Sequence, residues 1–330
     1  QGKEMPRLVA IIKTDKVNQF FKLPKVFTQC GEEFRIVHLD SPDGLHEFSG
    51  EDVTCAFDMI IQPTFNQLSN PDFHRELSTV FLNRYDKIHQ QRLLNDFIST
   101  LKPSKQAAYV HLGAIPIDME KMYYGEFSGR GVMKLTDGAR SMGIMKFDTE
   151  HTNLRSFLIE LGKVLNGGDK NNRAIQKVCD AFKIDINFGK EYKNDEVYER
   201  FTDKTFMLQR LNPYEDAEEF RVLKTLDTIH MYRRDHFNNE DPNVTDRLYM
   251  RPDVDQDDEY ELMMEDIQTI LKNEDFPMIH GSIDVWVSRR GMKWGIYEYQ
   301  NQYGHTHIPE DTHNFILKDT IHKLFFKLTR

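Results

Sequence analysis

Short apolar runs separated by turns open the chain: Leu8-Val-Ala-Ile-Ile12, Phe34-Arg-Ile-Val-His-Leu39 and Phe57-Asp-Met-Ile-Ile61 read as strands. A helical stretch from Lys16 to Gln29 and the turn Ser41-Pro-Asp-Gly44 lie between them. This alternation predicts an α/β opening with parallel strands. Residues 77–101 carry apolar positions at helical spacing, with a break or cap near Asn83-Arg-Tyr-Asp86 and a stop before Pro103.

Residues 106–150 read as a small strand-rich unit, with strands Ala108-Tyr-Val-His-Leu112, Gly131-Val-Met-Lys-Leu135 and Gly143-Ile-Met-Lys-Phe147. Helices are predicted at Thr152 to Leu165 and Arg173 to Phe182, flanking the turn Asn166-Gly-Gly-Asp169. Strands at Thr205 to Leu211 and Phe220 to Met231 follow, then an acidic loop and a helix at Asp257 to Lys272. Strands at Ser282 to Val287 and Met292 to Tyr297 and a helix from Thr312 complete the reading, without repeats or low-complexity tracts.

The 330 residues are 39% hydrophobic, with 23 Phe and 13 Tyr, enough apolar material for a sizeable core arranged as two or three packed units. The net charge of -10 is not spread evenly: Tyr214 to Asp275 holds 19 acidic and 7 basic residues, leaving 34 acidic and 36 basic elsewhere. A net-acidic chain disfavours generic wrapping of nucleic acid. Cys30, Cys55 and Cys179 are odd in number and widely spaced, which argues against a disulfide framework or a structural zinc site. No apolar run approaches a bilayer span and no signal-peptide pattern opens the chain, so a cytoplasmic setting without membrane partners is expected. Gln1-Gly2 reads as the remnant of a cleaved tag ahead of a start at Met5.

Three segments carry chemistry. In Val132-Met-Lys-Leu-Thr-Asp-Gly-Ala-Arg-Ser-Met-Gly143, a strand lysine enters a loop of small residues whose N–H groups can approach phosphate oxygens. The lysine precedes the glycines, so this is no Walker A loop, and a plain hairpin turn is the simpler reading. Phe206-Met-Leu-Gln-Arg-Leu-Asn-Pro, followed by Glu218-Glu-Phe-Arg-Val-Leu223, offers backbone amides and carboxylates suited to an adenine and a ribose, or an ordinary antiparallel pair. Asp284 and Glu298 stand among apolar neighbours on two strands, where burial is costly without a cation or other partner. Magnesium favours such hard oxygen ligands; a structural salt bridge is the alternative.

The order of these three segments resembles the ATP-grasp fold, closest in kind to glutathione synthetase and related amino-acid ligases. Resemblance covers about residues 83 to 304. It implies a mixed α/β and α+β architecture: a pre-ATP-grasp α/β domain at 1–82, a small lobe with the phosphate loop at 83–200, and a large lobe with the magnesium site at 201–330. It implies ATP and Mg2+ as cofactors. Lys134 looks like the lobe lysine on the phosphates, and Gly138, Ala139, Arg140, Ser141 and Gly143 like the mobile phosphate-covering loop. Lys87, beside Asp86 at a helix head, resembles a second nucleotide-contacting lysine. Gln209, Arg210 and Leu211 occupy the adenine-lining hinge, the last two mainly through their backbone. Glu218 or Glu219 would reach the ribose. Arg221 follows the family's acidic/aromatic-Arg-Val pattern, and Arg233 or Arg234 resembles the arginine that steadies transferred phosphate or substrate carboxylate. Asp284, Glu298 and Asn301 resemble the magnesium ligands.

The sequence departs from the family pattern in places. Gln300 and Asn301 both follow Glu298 where Glu-x-Asn is usual, Ala139 and Ser141 replace loop glycines, and Leu135 replaces a frequent proline. The chemistry implied is ATP-dependent joining of a small-molecule carboxylate, such as an amino acid or peptide, to an amine through an acylphosphate. A macromolecular acceptor, or nucleotide binding without catalysis, is the competing class, and Tyr123, Tyr124, Arg130 and Arg140 could form a patch for a polynucleotide or simply pack. The three arginines Arg221, Arg233 and Arg234 are expected to face the site while the surrounding acids face water. His305 and His307 lack a third metal ligand nearby, and Asp253, Asp255, Asp257 and Asp258 read as a solvated loop entering a helix N-terminus.

Overall fold

Four strands, Arg7–Ile12 (β1), Phe34–Leu39 (β2), Val53–Asp58 (β3) and Val80–Phe81 (β4), pair in the order β2-β1-β3-β4, every pair parallel, in the computed structural model of the chain. The structure describes residues 7–12, 34–39, 53–58, 80–81, 87–117, 119, 127–136, 143–168, 171–188, 201, 205–225, 227–233, 247–248, 258–278 and 280–300. The third strand starts earlier than the Phe57 to Ile61 run, because pairing with β1 sets its register: Cys55 lies opposite Val9 and Asp58 opposite Ile12. The single helical pattern read over 77–101 is a two-residue strand, β4, followed by a helix, Lys87–Ser99 (α1). The helix expected at 16–29, the 41–44 turn and the C-terminal helix lie outside the described residues.

The chain divides into two compact units: residues 1–85, 93–110 and 216–330, which include this sheet, and residues 86–92 with 111–215. The second unit holds an antiparallel sheet in the order β5-β9-β6-β7-β8, made of Ile115–Ile117, Phe206–Arg210, Arg130–Leu135, Met145–Asp148 and Asp185–Ile186 respectively. The segment Phe206–Arg210, assigned by sequence to a lobe beginning at 201, is thus hydrogen-bonded between β5 and β6. Helices Leu154–Asn166 (α3) and Asn172–Ala181 (α4) begin where Asn153 Oδ1 accepts from Ser156 N–H at 3.0 Å and Asn171 Oδ1 from Ala174 N–H at 2.9 Å. Phe157, Leu158 and Leu161 of α3 and Ile175 and Cys179 of α4 share a core with Met133 and Leu135 of β6 and Phe206 and Leu208 of β9.

In the first unit a second antiparallel sheet runs Arg247–Leu248 (β12), Thr228–Arg233 (β11), Glu218–Thr225 (β10), His280–Ser288 (β13) and Lys293–Gln300 (β14). The run Phe220 to Met231, read as one strand, is a hairpin that turns at Asp227; its two arms have the same β-rich composition, which hides the reversal. Residues 108–112, expected as a strand, form no ladder: Tyr109 makes an isolated bridge to Trp294 and Leu112 O accepts from Arg210 N–H at 2.8 Å, while Pro103–Ala108 (α2), with proline in its first turn, takes the preceding residues. Phe220 and Val222, Ile283, Val285 and Val287, and Trp294 and Ile296 form the inner face of the sheet. Against them lie Leu94, Phe97 and Ile98 of α1 and Met263, Met264, Ile267 and Leu271 of the helix Asp258–Lys272 (α5). Among the described residues no helix is long and apolar enough to cross a membrane.

Lys224 follows Phe220 and Val222 in the same alternation and is therefore turned inward, only 1% exposed. Its Nζ donates to the carbonyls of Leu271 at 2.6 Å and Asn273 at 3.0 Å, capping the C-terminal end of α5 with a positive charge.

Candidate functional site

In the sheet of the second unit, Met133 and Leu135 point to the helices, so Val132 and Lys134 point to the opposite face. On β9, Phe206 and Leu208 join the core while Met207 and Gln209 take the other side. Cross-strand pairing sets Lys134 opposite Met207 and Val132 opposite Gln209, which makes Lys134 and Gln209 diagonal neighbours on one face. Both are deeply placed, 8% and 3% exposed. Lys87 joins them through the backbone: its N–H donates to Thr136 O at 3.1 Å, tying the first residue of α1 to the end of the lysine strand. Lys134 and Gln209 therefore share one sheet face, and the head of α1 is tied by its backbone to the end of the lysine strand.

The hinge differs from expectation in one respect. The backbone N–H groups of Arg210 and Leu211, expected to serve an adenine, are already committed, Arg210 to Leu112 O at 2.8 Å and Leu211 to Arg130 O at 3.1 Å. Within this hinge, a donor that is buried without a hydrogen-bond partner among the described residues is instead Gln209 Nε2, a side-chain atom. The strict alternation Met207, Gln209 against Phe206, Leu208 is the sequence signal that places this amide on the lysine face. Of the phosphate loop only Gly143 is described: at φ +73° it adopts a conformation that suits glycine, and a Cβ there would come 2.5 Å from the Phe201 ring. Gly138, Ala139, Arg140 and Ser141 lie outside the described residues.

In the first unit, one row of residues crosses four adjacent strands: Tyr232, Arg221, Asp284 and Glu298 stand opposite one another on β11, β10, β13 and β14. Cross-strand partners share a face, and this row lies on the face opposite Phe220 and Val285. Arg221 Nε meets Asp284 Oδ1 at 3.1 Å and a guanidinium nitrogen meets Oδ2 at 3.5 Å, a two-pronged pair whose side chains are 15% and 13% exposed. The register shifts between Asp284 and Val285, leaving Tyr297 as the extra residue beside Glu298. Without that bulge the period of two would carry Glu298 out of line with Asp284. Glu219 shares the face with Arg221, whereas Glu218 does not.

The expectation that the arginines all turn one way is corrected by the same alternation. Arg233 stands opposite Phe220, on the helix-packed face, is half exposed, and pairs with Glu218 at 2.6 Å. Two residues of opposite parity cannot serve one face of a flat strand pair, so Arg221 and not Arg233 accompanies Asp284. Arg234, Asn301, Asp253, Asp255, Asp257, His305 and His307, with Tyr123, Tyr124 and Arg140 of the polynucleotide patch, lie outside the described residues. Asp148, Glu150 and His151 bring three ligand-type atoms within 4.8 Å, but they sit at a surface turn where Asp148 Oδ1 accepts the Glu150 N–H at 3.0 Å. Sequence reading had not singled them out, and their turn geometry accounts for the cluster.

No protein-family model matches the chain, and no curated protein does. Among solved structures it is similar to D-alanine–D-alanine ligase from Bacillus anthracis, with 9% identity, 98% of this chain and 99% of that chain covered, and a TM-score of 0.54. The same enzyme complexed with ATP gives 11% identity, 98% coverage of both chains and a TM-score of 0.55. A RimK domain ATP-grasp protein from Sphaerobacter thermophilus gives 12% identity, 95% and 99% coverage and a TM-score of 0.50. Identities this low speak to architecture and not to substrate, and at that level the conclusion is plain: the chain has the ATP-grasp fold.

Proposed function

We propose that this chain is an ATP-dependent ligase that joins a small-molecule carboxylate to an amine through an acylphosphate. The observation that carries the reading is the in-register row Arg221, Asp284, Glu298, a guanidinium and two half-buried carboxylates aligned across three strands. Asp284 and Glu298 offer the hard oxygen donors that Mg2+ takes, so the donor set fits the ion, with Asn301 as a third ligand. Bound there, Mg2+ would neutralise charge on the transferring phosphoryl group.

Lys134 and Lys87 bind the phosphates, Glu219 the ribose, and the 138–143 loop closes over the triphosphate to exclude water. Arg221 steadies the transferred phosphoryl group or the substrate carboxylate; Arg234 is a second candidate for that role. A substrate carboxylate oxygen attacks the γ-phosphorus, breaking its bond to ADP and forming the acylphosphate. The amine nitrogen then attacks the carbonyl carbon, the C–O bond to phosphate breaks, a proton leaves the nitrogen, and amide, ADP and phosphate result. No protein nucleophile takes part; the chain supplies position and charge.

The test is phosphate release from ATP in a screen of paired carboxylates and amines, amino acids and short peptides included, with mass spectrometry of the products. Release that requires both partners and yields an amide supports the reading. ATP consumption that no small pair stimulates, but a protein or nucleic-acid acceptor does, would transfer the reading to a macromolecular substrate.

A further inference from the structure

The proposed function gives Arg221 and Asp284 duties that their geometry sets against each other. Asp284 would hold Mg2+ and Arg221 an anionic group of the reaction, yet in the structure each engages the other. Arg221 Nε donates to Asp284 Oδ1 at 3.1 Å and a second guanidinium nitrogen donates to Oδ2 at 3.5 Å, so both carboxylate oxygens accept from one guanidinium. The two side chains are 15% and 13% exposed, where water screens little and a cation brought to Asp284 meets the guanidinium charge at close range. Glu298, opposite Asp284 on β14, adds a second carboxylate to the row. Two carboxylates and one guanidinium are net negative; a divalent cation held by both carboxylates balances them and leaves the guanidinium in surplus. A shielded cation in surplus calls for an anion.

We infer that Arg221 and Mg2+ exchange at Asp284: the carboxylate gives up the guanidinium as it takes the metal, and the released guanidinium receives the substrate carboxylate. The ion pair is then a latch that withholds the anion-binding arginine until the metal is in place, and the substrate carboxylate binds after Mg2+ rather than before it. The inference rests on the function proposed above and adds the order in which that site is filled. A fixed pair, in which Arg221 only orients a metal-bound Asp284, is the alternative, and it predicts the opposite response to loss of the arginine.

The experiment titrates Mg2+ into the full chain with ADP present, recording heat by calorimetry and following the Arg221 Nε–H by NMR, its signal assigned by its loss in Arg221→Lys. Exchange of this hydrogen with water is expected to quicken about tenfold or more as the metal binds, because the bond to Asp284 Oδ1 is given up. Arg221→Met should bind Mg2+ about tenfold tighter than the unaltered chain, since no charge-assisted hydrogen bond is then broken. Exchange that stays slow while Mg2+ binds overturns the inference on the unaltered chain alone, whether or not the variant folds. Weaker Mg2+ binding by Arg221→Met overturns it as well, that being the result for a residue that orients the ligand. Failure of the unaltered chain to bind Mg2+ at all is a different result, one that removes the proposed function itself.

Discussion

The sheet carrying Lys134 and the sheet carrying Asp284 each press one face on helices and set polar groups on the other, yet they meet the cost of burying polarity in opposite ways. In the first, Lys134 faces Met207 across the ladder and Gln209 faces Val132, so each donor has an apolar cross-strand neighbour. In the second, Arg221 faces Asp284 and pairs with it in the ladder itself, while Glu298 sets a second carboxylate opposite Asp284. The first face thus sets an ammonium and an amide beside apolar cross-strand neighbours, whereas the second aligns one guanidinium with two carboxylates. On the proposed function, the first face would meet the nucleotide and the second would hold the magnesium ion.

The comparison breaks most sharply at its two central charges. Lys134→Met should lower kcat/KM for ATP-dependent phosphate release by about 10²–10³-fold, the size expected when a preorganised charge is removed from a developing anion. Equal activity in this variant would take Lys134 out of the site. Asp284→Asn should reduce activity less, about 10–100-fold, and raise the Mg2+ concentration needed for half-maximal rate. It should also lower Tm, because Arg221 is left half-buried without its carboxylate. The double variant Arg221→Met, Asp284→Leu should recover the Tm but not the activity, separating the structural role of the pair from its chemical one.

The inward Lys224 shows that a buried cation held by its own acceptors also occurs on the helix-packed face. Lys224→Met removes two charge-assisted hydrogen bonds to the end of α5 and is expected to destabilise by about 2 kcal/mol in urea titrations. ATP affinity should stay as it was. If affinity fell in step with stability, the separation drawn between the helix-packed face and the site face would not hold.

Much of this arrangement was readable before any coordinates. Alternation in Phe206-Met-Leu-Gln-Arg and in Val132-Met-Lys-Leu assigns inner and outer faces directly, and the spacing of the three segments pointed to the ATP-grasp fold. What stayed hidden were relations between strands distant in sequence. Arg221 and Asp284 are 63 residues apart, and their register is fixed by a ladder that local composition does not specify. The bulge at Tyr297 likewise decides whether Glu298 aligns with Asp284, and no residue type announces it. The hairpin at Asp227 was missed because both arms favour strand, and the engagement of the Arg210 and Leu211 amides was missed because their acceptors, Leu112 and Arg130, sit on other segments.

Each sheet also holds a glycine under an aromatic ring, which allows a matched pair of tests. A Cβ on Gly295 would come 2.7 Å from the Trp286 indole, on the face that carries Asp284; one on Gly131 would come 2.5 Å from Phe127 and 2.8 Å from Phe147, against the core. Both alanine variants should destabilise, by about 1–3 kcal/mol each. Gly295→Ala should in addition alter the Mg2+ dependence, since Trp286 stands two residues from Asp284 on the same face, while Gly131→Ala should not. Identical catalytic profiles would show that the indole does not support the carboxylate row.

The smallest effect concerns Asp216, at the edge of the β13–β14 hairpin. Its carboxylate accepts from Arg290 N–H at 2.9 Å and from the Ser288 hydroxyl at 2.7 Å, and these two bonds, the first above all, hold its pKa below the ordinary carboxyl value. A carboxyl whose pKa is lower folded than unfolded adds stability that is complete above the unfolded pKa, about 3.9, and fades as pH falls through the lower native value. Asp216→Asn should therefore be less stable than the unaltered chain by a constant margin between about pH 5 and pH 7, and that margin should shrink below about pH 4. A margin that widened on acidification would mean that the carboxyl is protonated more readily in the folded chain, and the tie between Asp216 and the hairpin would have to be given up.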